Sequence, residues 1–177
     1  MSRQRKIYII GFMGSGKTTA GKKLAALLGW TFADLDKKII QKTGLSIPVI
    51  FSEHGEAFFR KTESEALREL GSETNVVIST GGGTPCHDKN MDYMLATGLT
   101  VYLKLIPSQL VSRLSGSSTE RPLIKGLDKE GLLKFIEQKL AQREQHYCRA
   151  DIVMEGIDLD IKRLLSKVKS RTTHDKL

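Results

Sequence analysis

The segment IIGFMGSGKTTAG, residues 9–21, constrains this chain more than any other stretch. It sets Gly11, Gly14, Gly16 and Gly21 between an apolar run and a helical stripe, although a glycine inside a regular element costs roughly 1 kcal/mol against alanine. Residues 11–18 fit G-x-x-x-x-G-K-[ST]. In that pattern, the P-loop, a glycine-rich turn aims successive backbone N–H groups at a phosphate, and the helix that follows adds its positive N-terminal end. Lys17 is spaced to reach β- and γ-phosphates and the Thr18 hydroxyl to ligate Mg²⁺. A nucleoside triphosphate is the expected ligand.

The motif needs a strand before it and a helix after it, and the flanks supply both. KIYII (6–10) is a compact β-branched run suited to a buried parallel strand, while Ala20, Leu24, Leu27 and Leu28 recur at helical spacing before a stop at Gly29. The same alternation continues. WTFAD (30–34), NVVIST (75–80), LTVYLKL (99–105) and DIVME (151–155) read as four further strands. Between them lie a polar helix closed by Gly44, a short turn of helix with Ser46 as N-cap and Pro48 near its start, and a longer helix over 55–70. Helices follow over 88–97, from Pro107, over 129–147 and over 160–170. The pattern predicts one α/β domain spanning 1–170, with a parallel sheet covered by helices on both faces and ligands at the carboxyl ends of the strands. Residues 115–126 carry turn residues and charges without apolar periodicity and form an expected long functional loop, and 171–177 an expected frayed tail.

Composition narrows the class of partner. A net charge of +8 calls for an anion. The basic run KRLLSKVKSR reads as the solvated face of the last helix, and aromatics, at 6 %, are not interleaved with basic residues as a nucleic-acid stacking platform requires. No stretch approaches the roughly 20 apolar residues of a membrane span, and MSRQRKIYII leads straight into a strand without a signal-peptide core, so the expected location is the cytoplasm. Cys86 and Cys148 have no CxxC partner and are expected to be free thiols.

The candidate chemistry sits at strand ends. No [NT]KxD guanine-reading signature is present, and the third strand runs into Gly81-Gly82-Gly83 where many P-loop proteins place an acid. Asp34 and Asp36 supply acid instead, in ADLD after the second strand. Residues i and i+2 of extended chain project to one side, so one carboxylate can serve a metal shell and the other a substrate hydroxyl; two solvated acids opening a helix are the plainer alternative. Arg60 has Glu63 one turn on, as a surface pair or as part of a site. Arg143 takes a slot on the stripe Leu133, Ile136, Leu140, Arg143, Tyr147, from which it either snorkels outward or faces a pocket and binds an anion. Arg121, in TERPLIKG, is either a solvated loop charge or a lid arginine over a phosphate site.

GFMGSGKTTAGKKLA, DLDKKIIQKTGLSIPVIFSEHGEAFFRKTE, STGGG, ERPLI and the QREQHY helix, in that order, resemble the shikimate kinase family over almost the whole chain, to about residue 165. Gluconate kinases and adenylate kinases share the P-loop but not this set. The resemblance implies a three-layer fold with a five-stranded parallel sheet in the order 2-3-1-4-5, a mobile lid, and transfer of the ATP γ-phosphoryl group to the 3-hydroxyl of shikimate by a monomer that binds neither nucleic acid nor membrane. It further implies that Gly14, Ser15, Gly16, Lys17, Thr18 and Thr19 hold the phosphates, with Lys17 contacting them as charge shifts. Thr18 would ligate Mg²⁺, with Asp34 in its shell. Asp36 would bind the ring hydroxyls and act as base. Arg60 and Arg143 would take the carboxylate, with Gly81, Gly82 and Gly83 bordering the acceptor and Gly82 offering a backbone contact. Arg121 would reach ATP from the lid and Arg113 would lie near the adenine. Thr18 and Thr19 stand where the family also carries serine, and Pro48 where many members differ. A gluconate kinase-like enzyme and a nucleic-acid-binding P-loop protein are the alternatives; ADP release on adding shikimate, against salt-sensitive retention on nucleic acid, separates them.

Overall fold

The structure is a computed structural model that describes residues 5–116 and 124–174. Five strands, β1 (Lys6–Ile10), β2 (Thr31–Asp34), β3 (Val76–Ser79), β4 (Leu99–Lys104) and β5 (Ile152–Glu155), form one sheet in the order β2-β3-β1-β4-β5. Every pairing is parallel, with Ile7 opposite Val77 on one side and Leu99 on the other. The architecture read from the sequence is therefore the one observed.

β1 is the centre of the sheet and all five of its residues are buried. Its alternation feeds two cores. Ile7 and Ile9 pack with Ala20 and Leu24 of α1 (Lys17–Leu28) and with Leu164 and Val168 of α7 (Ile161–His174). Tyr8 and Ile10 face the larger core, made with α2 (Leu35–Thr43), α3 (Ile47–Leu70), α4 (Asn90–Thr97), α5 (Pro107–Ser115) and α6 (Lys129–Tyr147). Each fully buried aliphatic side chain here contributes roughly 1.5–3 kcal/mol. At the sheet edge, Thr100 ties β4 to the entry of β5: its Oγ1 donates to Asp151 Oδ2 and accepts from the Asp151 N–H, both at 2.9 Å.

Local chemistry sets the element ends. α3 is broken at Gly55, whose φ of 79° and ψ of 174° no helix contains, so the two helices read from the sequence meet there. Ser46 occupies the N-cap of α3 in extended conformation, with Pro48 in the first turn, but its hydroxyl makes no capping bond. α4 starts at Asn90 rather than at residue 88, because Asp88 and Lys89 are left-handed (φ 48° and 56°). A short 3-10 turn, Thr84–Cys86, precedes it and has no counterpart in the sequence reading. The tail expected to fray after Ser170 instead continues α7 to His174, since no glycine or proline interrupts it; residues 175–177 lie outside the described residues. So do residues 117–123, which include Arg121 and most of the expected lid. Among the described residues no helix is long and apolar enough to cross a membrane, and Cys86 and Cys148 are free.

Gly98, between α4 and β4, tests the packing of the larger core. A β-carbon there would lie 2.6 Å from Cε2 of the buried Tyr8 and 2.9 Å from the Lys6 carbonyl oxygen. The Tyr8 ring is held by a 3.0 Å hydrogen bond between its hydroxyl and that of Thr97, and the carbonyl belongs to the central strand, so neither yields cheaply. Gly98→Ala should cost about 1–3 kcal/mol, read as a lower urea midpoint at unchanged m.

Candidate active site

The P-loop lies at the carboxyl end of β1. Gly11, Gly14 and Gly16 have φ of 145°, 79° and 90°, backbone that side chains with a β-carbon rarely adopt. Gly11 is doubly required, because a β-carbon would also stand 2.8 Å from the Leu103 carbonyl oxygen. Lys17 Nζ donates to the carbonyls of Gly11 and Phe12, each at 2.9 Å, so the ammonium is folded over the turn. Ser15 Oγ is the one buried side-chain polar atom among the described residues with no hydrogen-bond partner. An orphaned donor inside a loop of this geometry fits a phosphate ligand.

Beside the P-loop, a cleft of about 680 Å³ opens between α1 and the turn after β5. Its walls include Ser15, Gly16, Thr19, Arg113, Ile157 and Asp160. Arg113, from the last turn of α5, donates to the Ile157 carbonyl and lies so near Gly16 that a β-carbon there would stand 2.9 Å from its guanidinium. Of the expected nucleotide residues, Ser15, Gly16, Thr19 and Arg113 border this cleft. The segment over residues 156–161 was missed in the sequence; its only signal is a glycine after a strand end, followed by alternating apolar and acidic residues.

Thr18, Asp34 and Ser79 bring three oxygen donors together. Thr18 Oγ1 donates to Asp34 Oδ2 at 3.1 Å and lies 3.4 Å from Ser79 Oγ. Asp34 and Ser79 are opposite one another in the β2–β3 register, and Asp34 Oδ1 caps α2 by accepting from the Lys37 N–H at 3.3 Å. These hard oxygens fit Mg²⁺. Among the described residues no group of three or more His, Cys, Asp or Glu could hold a metal by itself. Ser79 was also missed, although it stands at the strand end where an acid was sought.

Asp36, Arg60 and Arg143 converge on the glycines after β3, each brought by a different helix. A β-carbon on Gly81 would lie 3.0 Å from Glu63 Oε1 and 3.5 Å from Asp36 Oδ1. On Gly82 it would lie 3.4 Å from Arg143, and on Gly83 2.9 Å from Arg60. None of the three glycines has positive φ, so close approach is their requirement. The Arg60–Glu63 pair, at 2.9 Å, is not a surface pair: Glu63 is 1 % exposed, and its other oxygen accepts from the buried Thr84 hydroxyl at 2.6 Å. Arg60 also donates to Glu56 at 3.2 Å. Arg143 does face the site. Its guanidinium carbon is 5.5 Å from the Phe12 ring centroid, and Tyr147, one turn on, donates its hydroxyl to the Gly82 carbonyl.

The Asp36 carboxyl is pushed up to about 6, by desolvation first and then by the Asp34 and Glu63 carboxylates, against the pull of Lys17 and Arg60. The residue as a whole is exposed, yet protein crowds its charge. The second property governs acidity, because the solvation cost follows the material around the charge rather than the area of the residue. A further concavity of about 460 Å³ lies along α3, lined by Lys61, Ser64, Arg68 and His87 among others. Of the expected site residues it includes Arg60 alone.

A family model described as shikimate kinase matches residues 13–172. The shikimate kinase of Parabacteroides distasonis is 42 % identical over 152 residues, covering 86 % of this chain and 88 % of that protein. Among solved structures, shikimate kinase from Bacteroides thetaiotaomicron superposes with a TM-score of 0.85 at 37 % identity, over 96 % of this chain and 97 % of that one. Shikimate kinase from Acinetobacter baumannii in complex with shikimate gives 0.82 at 34 % identity, over 98 % and 95 %. With both a P-loop and this match along nearly its full length, the chain belongs to the shikimate kinase family.

Proposed function

We infer that the ATP-dependent phosphorylation of shikimate by this chain runs through two adjoining subsites, with the 3-hydroxyl as acceptor and Mg²⁺ as the cofactor that Thr18 and Asp34 would hold. The observation that carries the reading is the convergence of Asp36, Arg60 and Arg143 on residues 81–83, opposite the P-loop. An anion-binding pair and a carboxylate beside a phosphate cradle suit a hydroxylated acid, and suit neither a nucleobase nor a nucleic-acid backbone. In this reading the chain is a single domain over residues 1–170 and works as a cytoplasmic monomer. ADP release with shikimate, gluconate and AMP offered in parallel tests it; turnover should follow shikimate alone.

Lys17 supplies charge at the transferred group. It exchanges the Gly11 and Phe12 carbonyls for phosphate oxygens, an exchange favoured because an anion adds to each hydrogen bond the attraction of opposite full charges, which a neutral carbonyl lacks. Thr18 and Asp34, with Ser79 beside them, would hold the cation, which would supply positive charge against the negative charge of the phosphates. Ser15, Gly16 and Thr19 line the cleft, Gly14 gives the cradle a turn of positive φ, and Arg113 walls the base end. Asp36 accepts the hydroxyl proton. A carboxyl near 6 is mostly ionised at pH 7 and more basic than an ordinary aspartate.

Asp36 also gives a pH dependence with a defined sign. Protonation removes the base, so kcat/KM should fall about tenfold per pH unit below about 6. Asp36→Asn should lose that acid limb and about 10²–10⁴-fold in kcat. The folded carboxyl binds its proton more tightly than the unfolded one does, so the native state loses stability as pH rises from about 3.8 to about 6. Asp36→Asn should therefore raise the melting temperature at pH 7, with the gain shrinking as pH falls toward 4. An unchanged melting temperature at pH 7 removes the argument for desolvation.

Arg143→Ala should weaken shikimate binding by about 30- to several-thousand-fold, since a buried charge loses its partner. Arg143→Lys should also be weak, because an ammonium cannot form the two-pronged contact. Calorimetric titration with ATP alone should be unchanged; a loss confined to ATP assigns this arginine to the wrong subsite.

A further inference from the structure

The two arginines at the acceptor glycines are held in opposite ways. Arg60 is bound by two carboxylates, Glu56 and Glu63, so much of its charge is met before any ligand arrives. Arg143 forms no ion pair with any carboxylate among the described residues. Its guanidinium lies over the ring of Phe12, which is 2 % exposed, and beside the hydroxyl of Tyr147, which is fully buried. Tyr147 is itself fixed at both ends. Its ring packs 5.0 Å from that of Tyr102 on β4, and its hydroxyl donates to the Gly82 carbonyl, leaving the phenol lone pairs toward the guanidinium.

We propose that Tyr147 and Phe12 are positioning residues that hold Arg143 by neutral contacts, leaving its full charge for the carboxylate of the acceptor. A resident carboxylate would aim the guanidinium equally well, but the substrate would then compete with it for the same donors. A phenol and a π face aim it without that competition. Burial pushes the phenol well above its ordinary range, so it remains neutral at any working pH. The contact with Gly82 gives the phenol a second task, because it fixes one wall of the acceptor pocket and the charge beside it through a single oxygen.

This rests on the reading that Arg143 takes the acceptor carboxylate, and the test separates the two. Wild type, Tyr147→Phe, Arg143→Ala and the double variant are compared by kcat/KM for shikimate, KM for ATP and thermal melting. Arg143→Ala alone tests the reading: an unchanged shikimate kcat/KM overturns it, and the proposal with it. Tyr147→Phe should lower shikimate kcat/KM by about 10-fold, the scale of a hydrogen bond to a charged group, with kcat and the ATP KM within about twofold of wild type. In the Arg143→Ala background the same change should have almost no effect on shikimate kcat/KM. Phe12→Leu should show the same dependence on Arg143 at about 2- to 5-fold. If Tyr147→Phe acts by an equal factor in both backgrounds, or lowers kcat and raises both KM values together, the phenol serves the fold or Gly82 alone and the proposal fails.

Discussion

The turn after β1 passes so close to the end of β4 that a β-carbon at Gly11 would meet the Leu103 carbonyl at 2.8 Å, and a β-carbon at Gly82 would meet the Met13 nitrogen at 3.4 Å. Three strand ends are drawn together there with almost no side-chain volume between them. The rest of the site depends on that contact. It lets the P-loop share a wall with Gly81, Gly82 and Gly83, so that groups from α2, α3 and α6 reach one small region. The long buried run of β1 supplies the rigidity that such an approach needs.

Within that region charge is arranged by contrast. Charges of both signs are interleaved there: burial and the Asp34 and Glu63 carboxylates raise the pKa of Asp36, Lys17 and Arg60 lower it, and the balance leaves it at about 6. Glu63 is charged and almost fully buried, yet every oxygen has a donor, which makes it a fixed part of the frame. The hydrogen bonds from Ser64 to Asp88 and Asn90, each 3.1 Å, fasten the same helix to the segment after the glycines. Aim is thus set by a network on α3 and by aromatic packing on α6.

Much of this was legible in the sequence. The P-loop, five strands and glycine stops are local signals, since they depend on backbone freedom and on periodicity within one element. Arg143 was legible because a guanidinium on an apolar stripe breaks a pattern. The parts that were not legible are relational. Ser79 is an ordinary serine until the β2–β3 register sets it across from Asp34. Residues 156–161 become a wall of the cleft only when α7 folds back beside α1. Tyr147 looked like the last apolar step of its stripe, and only the tertiary fold shows its hydroxyl on Gly82. The end of α7 ran past its reading because nothing after Ser170 breaks a helix.

Asp34 carries the two oxygens of one carboxylate to separate tasks, Oδ1 to the first turn of α2 and Oδ2 to the Thr18 hydroxyl. The helix it starts is the one that bears Asp36. This overlap narrows the routes open to mutational drift. A serine would keep a helix start but bring no carboxylate to the Thr18 hydroxyl, and a glutamate would keep the charge on an arm too long to cap the same turn. One position therefore answers to two structural requirements at once, and the start of the helix and the contact with Thr18 cannot change independently.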